Sequence, residues 1–304
     1  MQSFDDFDAW GDAVSGASLR LACDAVDTGV WTLGILELGG VVLQVASEGG
    51  GNLCYGANTH PGLTLFVPLT LAAEHVANGE ALGDDALLAI PSGADFRIGV
   101  RRRSHAWCSI ALPAGIADPA TTVLAASANS ARVACPPGTF SRLTGIVTGI
   151  AGTLLARPAG TAAHHAAGRD LAAAAVACLP GASSARPVPG RPRLDRAAII
   201  RRAMAAIDAA PMLPTARALA AHVGVTDRTL LRTFQESYGM PPKRYLMLRE
   251  LHLVRRILRA GAPEDDTVAD VLTRHGIWEF GRFAARYRWH FGESPSVTLR
   301  RARA

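Results

Sequence analysis

The five cysteines of this 304-residue sequence, Cys23, Cys54, Cys108, Cys135 and Cys178, include no C-x-x-C pair. An odd, scattered set argues against a disulfide framework or a zinc site, and for small buried residues in a reducing compartment. The histidines of the first half, His60, His75 and His105, form no H-x-H pair, although Glu48 and Glu74 lie near in sequence. No metal and no cofactor is expected. There is no Walker loop and no G-x-S-x-G nucleophile elbow, so no catalytic residue is assigned. The apolar stretch Leu143–Ala156 is interrupted by Thr and Gly and is too short to span a bilayer. The acidic start, Met1-Gln2-Ser3-Phe4-Asp5-Asp6, lacks the basic-then-apolar layout of a signal peptide. The expected location is cytoplasmic, with no membrane partner. Lysine is almost missing too, Lys243 being the single one; no mechanism follows from that.

What is present is unevenly placed. The chain is long enough for two domains, each with its own core. Its 49% hydrophobic and 19% charged residues are ordinary for a soluble globular protein. Residues 194–304 hold 19 basic and 11 acidic side chains, net +8, whereas residues 1–193 hold 12 and 15, net −3. A basic C-terminal third suits a phosphate-binding face.

That third contains one short motif written twice. Leu219-Ala220-Ala221-His222-Val223-Gly224-Val225 is followed by Thr226-Asp227-Arg228-Thr229-Leu230-Leu231-Arg232-Thr233-Phe234. Val271-Leu272-Thr273-Arg274-His275-Gly276-Ile277 is followed by a polar-aromatic stretch with Phe283 and Tyr287. The two glycines are 52 residues apart, and Leu230 and Phe283 are 53 apart. The offset of 53 recurs at the ends, Gly239-Met240-Pro241-Pro242 against Gly292-Glu293-Ser294-Pro295. Each copy reads as a helix-turn-helix, about 215–237 and 267–291. A short amphipathic helix turns Leu219 or Val271 inward and stops at a glycine, the residue that adopts a left-handed backbone at least cost. Val225 or Ile277 plugs the corner. Thr226 caps the second helix, on which Leu230 and Phe234, spaced i, i+4, face the core. The second helix of such a unit enters a DNA major groove.

On these residues the stretch 194–304 resembles the DNA-binding domain of the AraC/XylS family of transcription regulators. That resemblance implies an all-α domain with two helix-turn-helix units joined by a long helix. The joining helix is predicted over Pro241–Ala260, with an apolar stripe of Tyr245, Leu248, Leu251, Val254 and Leu258. The run Arg282–Pro295 is close to the family signature. Mapping the family's recognition positions onto motif one gives Arg228, Leu231 and Arg232, and Thr229 beside them is a further expected DNA contact. Arginine offers paired donors to guanine O6 and N7, and Leu231 offers apolar contact alone. Motif two departs from the family pattern at Trp278-Glu279-Phe280-Gly281-Arg282, and Ala285 stands where an arginine is frequent. Glu279 can accept from a cytosine amine or stabilise the helix N-terminus. Glu279, Gly281, Arg282 and Arg286 complete the expected DNA contacts. Motif one is expected to read most of the sequence, and motif two to position the protein on the backbone. The segment 261–266 is about three residues longer than usual and, being acidic, is expected to face solvent.

The first half reads differently. Residues 4–14 suggest a short helix. Short apolar segments then recur: Leu19–Val26, Val30–Leu38, Val41–Ser47, Leu63–Leu69, Leu71–Val76, Ala86–Ile90, Phe96–Val100 and Trp107–Leu112. Turn signals separate them at Gly39-Gly40, Gly49-Gly50-Gly51, Gly83-Asp84-Asp85 and Pro91-Ser92-Gly93, and Asn78-Gly79 is the clearest hairpin. This spacing predicts an all-β sandwich or barrel over 1–117. It is similar to the cupin-like sensor barrel found ahead of the DNA-binding domain in many AraC/XylS members, and loosely to the arm that includes ethanolamine-operon regulators. Residues 118–179 read as helical, with Phe140–Leu155 and Thr161–Leu179 as the main helices and His164-His165 exposed. The resemblance places such helices between two subunits, though they suit packing on their own barrel equally. Residues 180–193, rich in Pro, Gly and Ser, read as a linker, and Leu194–Ala209 as the first helix beyond it.

The expected fold class is thus α+β multidomain: a cupin-like β-barrel with a helical dimerisation segment, then the all-α domain. The resemblance implies double-stranded DNA, a small-molecule effector, RNA polymerase and a second copy as partners, and activation upon effector binding. Trp31, Phe66, His75 and Trp107 are the candidate effector-binding residues, with ordinary core packing as the competing role. Two rival functions stay open: a cupin-type metalloenzyme with a DNA-binding tail, and an orphan regulator without an effector.

Overall fold

The computed structural model describes residues 1–5, 7–26, 30–70, 74–101, 103–116, 118–156, 160–179, 196–210, 212–260 and 266–303. The chain divides into two compact units, Met1–Pro189 and Gly190–Ala304. The first is β-rich and the second all-helical.

The first unit runs β1 (Gln2–Phe4), α1 (Phe7–Ala13), β2 (Ala17–Val26), β3 (Trp31–Leu38), β4 (Val41–Glu48), β5 (Gly50–Asn58), β6 (Thr64–Pro68), β7 (Val76–Ala77), β8 (Glu80–Ala81), β9 (Ala86–Ile90), β10 (Asp95–Val100), β11 (His105–Ala111), α2 (Pro119–Ala125), β12 (Ala131–Ala134), α3 (Thr139–Leu154) and α4 (Thr161–Ala177). Seven strands form one antiparallel sheet in the order β1-β3-β4-β11-β6-β9-β12, and five form a second in the order β2-β5-β10-β7-β8. Tight hairpins fix the register. Gly39 and Gly40, at φ 65° and 95°, join β3 to β4. Asn78 and Gly79, at φ 53° and 89°, join β7 to β8 as the dipeptide predicts.

The larger sheet is buried on both faces. Trp31, Leu33, Ala46, Phe66, Leu88 and Trp107 face the smaller sheet, where Phe96 and Ile98 meet them. Leu38, Leu43, Leu65, Val67 and Ile110 face the other way, onto Phe140, Leu143 and Val147 of α3 and Leu171 and Ala175 of α4. Double burial explains why Ala86–Ile90 is apolar throughout, with no alternation. Gly168 lets α4 approach closely: a Cβ there would lie 1.9 Å from the Leu38 carbonyl oxygen.

Several expectations need correction. Neither sheet closes on itself among the described residues, so the observed architecture is two packed sheets with open edges. Gly50 and Gly51 are not a turn; they open β5, which pairs with both β2 and β10. Its sequence, GGNLCYGAN, carries no apolar alternation because almost every position is buried. The interval 118–179 is not wholly helical, since Ala131–Ala134 adds β12 to the large sheet beside β9. The helix expected over 4–14 spans Phe7–Ala13, and Phe4 belongs to β1. Of the segment 71–76, Val76 is in a strand, and 71–73 lie outside the described residues. The expected linker 180–193, Leu194 and the loop 261–265 also lie outside them.

The second unit is α5 (Arg196–Ala209), α6 (Ala216–Val223), α7 (Asp227–Tyr238), α8 (Pro242–Arg259), α9 (Val268–Arg274), α10 (Phe280–Phe291) and α11 (Pro295–Ala302). Local chemistry sets the ends. Gly224, Gly239 and Gly292 take left-handed caps at φ 76°, 63° and 74°. Thr215, Thr226 and Thr267 cap the next helices, the last with Asp270 in a capping box. The long helix α8 has proline in its first turn and Arg256 and Arg259 in its last. It serves both motifs. Tyr245 stacks on Tyr238 with ring centroids 5.0 Å apart, while Leu251, Val254 and Leu258 pack with Val271, Phe283 and Tyr287.

Candidate nucleic-acid interface

In motif one, α6 ends at Gly224, and Thr226 starts α7 by accepting the Thr229 N–H at 3.1 Å. Leu230 and Phe234 are 1% and 0% exposed, which anchors that face of α7. Arg228, Leu231 and Arg232 therefore lie on the outer face. Thr229 is half-buried, and its hydroxyl shares a 2.9 Å hydrogen bond with Thr226, so it belongs partly to the cap. Arg232 keeps its side chain 72% exposed while its Nε donates to Glu236 at 2.8 Å. Arg196 of α5 pairs with the other Glu236 oxygen, also at 2.8 Å.

In motif two, Phe283 and Tyr287 are fully buried and orient α10. Its outer face carries Glu279, Gly281, Arg282, Ala285 and Trp289, with Trp278 just before the helix. Glu279 holds the cap position without a side-chain bond to the helix backbone. Instead its two carboxylate oxygens each accept from Arg282 Nη1 at 2.9 Å. The pair is largely exposed, a setting in which ion pairs contribute little. Arg286 is half-buried against α8, where its charge favours the ionised form of Glu250 while burial dominates and raises that carboxyl's pKa. Gly281 has open space where a Cβ would be. The aromatics around Trp278 carry no expected role in the sequence. Trp278 is 71% exposed, Trp289 77% and Phe280 38%. The signal in the sequence is the position of Trp278, Phe280 and Trp289 off the Phe283 and Tyr287 spacing and close to Arg282 and Arg288.

The first unit contains a separate feature, a cavity of about 80 Å³ between its two sheets. Phe66 and Trp107 line it. Trp31 and His75 are buried close by but are not lining residues; Trp31 packs on Phe7 and Trp10, and His75 on Phe66 and His105. Glu48, 2% exposed, was not singled out as a site residue, yet it centres the polar end. Its Oε1 accepts from Trp107 Nε1 at 2.7 Å and Asn52 Nδ2 at 3.4 Å, and faces His105 Nε2 at 3.5 Å. Burial opposes charge on His105, but Glu48 and the Arg103 and Gly50 backbone outweigh it, so its pKa is raised. Burial, then His105, pushes His75 down to about 3. Among the described residues no group of three His, Cys, Asp or Glu side chains is arranged to hold a metal ion, and no helix is long and apolar enough to cross a membrane.

Known proteins match part of the chain, and the family match falls in the helical unit. Residues 219–301 fit the family described as a helix-turn-helix domain. A 103-residue stretch is 36% identical to the probable thc operon regulatory protein of Rhodococcus erythropolis, covering 34% of this chain and 31% of that protein. A 79-residue stretch is 33% identical to the XylDLEGF operon transcriptional activator of Pseudomonas putida, covering 26% and 25%. The chain thus spans about a third or less of these curated relatives. A crystal structure of a probable AraC family transcriptional regulator from Rhodopseudomonas palustris is 34% identical, covering 35% of this chain and 98% of that one, with a TM-score of 0.32.

Proposed function

Through its helical unit this chain belongs to the AraC/XylS family of transcription regulators, and from that premise we propose that it is a sequence-specific DNA-binding activator with α7 and α10 as its two recognition helices. The observation that carries the reading is the outer face of α7. Arg228 and Arg232 project from a helix whose opposite face is locked into the core, on a segment of net charge +8. Arg232 reads a guanine, Leu231 a thymine methyl, and Thr229 and Arg228 hold the adjacent backbone or bases. In α10, Arg282 exchanges Glu279 for DNA, Glu279 meets a base edge, and Gly281 and Arg286 border the contact. Motif one supplies most of the sequence information and motif two most of the positioning.

The β-rich unit is the sensor, a cupin-like sandwich whose inter-sheet cavity holds a small-molecule effector, with Phe66 and Trp107 as its aromatic wall and Trp31 and His75 behind it. The helices α3 and α4 pack on their own sheet. The outward residues of α3, among them Gly145, Gly149 and Gly152, leave room for a second copy, so the working form is a dimer that contacts RNA polymerase in the cytoplasm.

Selection of bound sites from a random DNA pool, with the intact protein and with Arg232→Ala, tests the reading. Two half-sites about one helical turn apart are expected. Information should vanish at a single base position in the variant. A folded protein that enriches no motif, with or without candidate metabolites, would overturn it.

A further inference from the structure

The cavity between the sheets combines mostly apolar walls with a few buried polar groups whose donors and acceptors are unevenly matched. Its walls are mostly apolar, with Leu21, Phe96, Ile98 and Val100 among them. Most donors of its polar side chains are taken up by the protein. Trp107 Nε1 and Asn52 Nδ2 both donate to Glu48 Oε1. Gln44 Nε2 donates to the Ser15 carbonyl at 2.9 Å and to Ser109 Oγ at 3.2 Å. Asn58 Nδ2 is taken up by the carbonyls of Gly62, Ile90 and Pro91. Trp10 Nε1 is held by the Thr32 carbonyl at 3.1 Å.

Acceptors, in contrast, are left over. Glu48 Oε2 and Asn52 Oδ1 are buried and have no hydrogen-bond partner among the described residues. Both residues line the cavity, and they are 2% and 6% exposed. Buried acceptors of this kind are normally satisfied. A ligand that supplies donors repairs them; one that brings a carboxylate adds negative charge beside Glu48 and finds few free N–H groups.

We propose that this cavity binds a small molecule with a short apolar body and a hydrogen-bond-donating head, an amine or an alcohol, received by Glu48 and Asn52. The proposal rests on the sensor reading above and specifies the class of effector. Size adds to it. A cavity of about 80 Å³ is close to half of the roughly 150 Å³ that admits benzene, so the body has only a few carbons.

The test uses the full chain and three three-carbon probes with different heads: n-propylamine, 1-propanol and propionate. Thermal unfolding and titration calorimetry are read for each, without DNA. A saturable rise in Tm with the amine or the alcohol, and none with propionate, is expected; whichever head binds tighter identifies the source. In Glu48→Gln an NH2 replaces the unpaired oxygen, whereas the remaining oxygen can keep Trp107. The bound donor probe should then weaken at least tenfold. The intact-protein comparison decides the matter even if that variant fails to fold. Binding of propionate as tight as either donor, binding of none of the three, or unchanged affinity in folded Glu48→Gln would overturn the proposal. Because no readout involves DNA, its failure with site selection intact leaves the regulator reading standing, and the reverse result separates them the other way.

Discussion

Arg232 Nε lies 2.8 Å from Glu236 Oε1, one turn further along α7, and the second oxygen of Glu236 holds Arg196 of α5. An arginine tethered through Nε keeps its terminal nitrogens free and limits where the fork can point. Arg232→Ala should lower discrimination at one guanine position by roughly 1–3 kcal/mol. Glu236→Gln should reduce the same discrimination by less, because the fork remains but its tether weakens. Competition between matched and single-mismatch duplexes measures both. If Glu236→Gln weakens every duplex equally, Glu236 does not orient a base reader.

Motif two makes a different demand. Trp278 is 71% exposed, so Trp278→Ala should change folding stability by no more than about 0.5 kcal/mol. Its effect should appear as weaker binding to all sequences alike, as positioning requires. Loss confined to one base pair in a selected-site profile would instead make this tryptophan a reader.

Three glycine-to-alanine changes separate three physical reasons for glycine. Gly168→Ala meets the Leu38 backbone and should destabilise the β-rich unit by about 1–3 kcal/mol or more, as over-packing does. Gly224→Ala meets nothing within 4 Å among the described residues but must hold φ at 76°, which costs roughly 1–2 kcal/mol. Gly281→Ala has both space and a helical backbone, and should stabilise by roughly 1 kcal/mol. Scanning calorimetry of the full chain would rank them. If Gly281→Ala instead weakens DNA binding while raising Tm, the missing Cβ serves close approach to the duplex.

Acid should act through His75. Its folded pKa is lowered to about 3 from the ordinary 6.5, chiefly by burial and then by His105. As pH falls below 6.5 the unfolded chain takes up a proton that the native state refuses until near pH 3. Stability is therefore lost across that window, by up to about 1.4 kcal/mol per pH unit. His105 has the opposite sign: its raised pKa adds stability below 6.5, which is lost as pH rises through the folded value. In His75→Leu, whose replaced ring nitrogens have no hydrogen-bond partner among the described residues, the urea midpoint should fall less between pH 7 and pH 5 than in the unchanged protein. Equal slopes would show that His75 is protonated in the folded state.

The helical unit was legible because its determinants are local. Gly224 and Thr226 declare a turn and a cap within three residues, and Leu230 with Phe234 declares the buried face one turn later. The strand hairpins at Gly39-Gly40 and Asn78-Gly79 were legible for the same reason. The sequence did not reveal β5, because Gly50 and Gly51 carry a turn's composition and become strand only through pairing with β2 and β10.

By itself, then, the sequence determined the two helix-turn-helix units and which faces of their helices stay in water, since periodicity, caps and left-handed glycines act over one or two turns. Tertiary structure decided the rest. It placed β12 in the large sheet, turned the helices α3 and α4 onto that sheet, and set Arg286 beside Glu250 of α8. It also gathered Glu48, Asn52, His105 and Trp107 at one end of a cavity, although Glu48 and Trp107 are 59 residues apart in the chain. Strand pairing and the count of satisfied donors depend on partners distant in sequence, so they exist only once the sheets have packed.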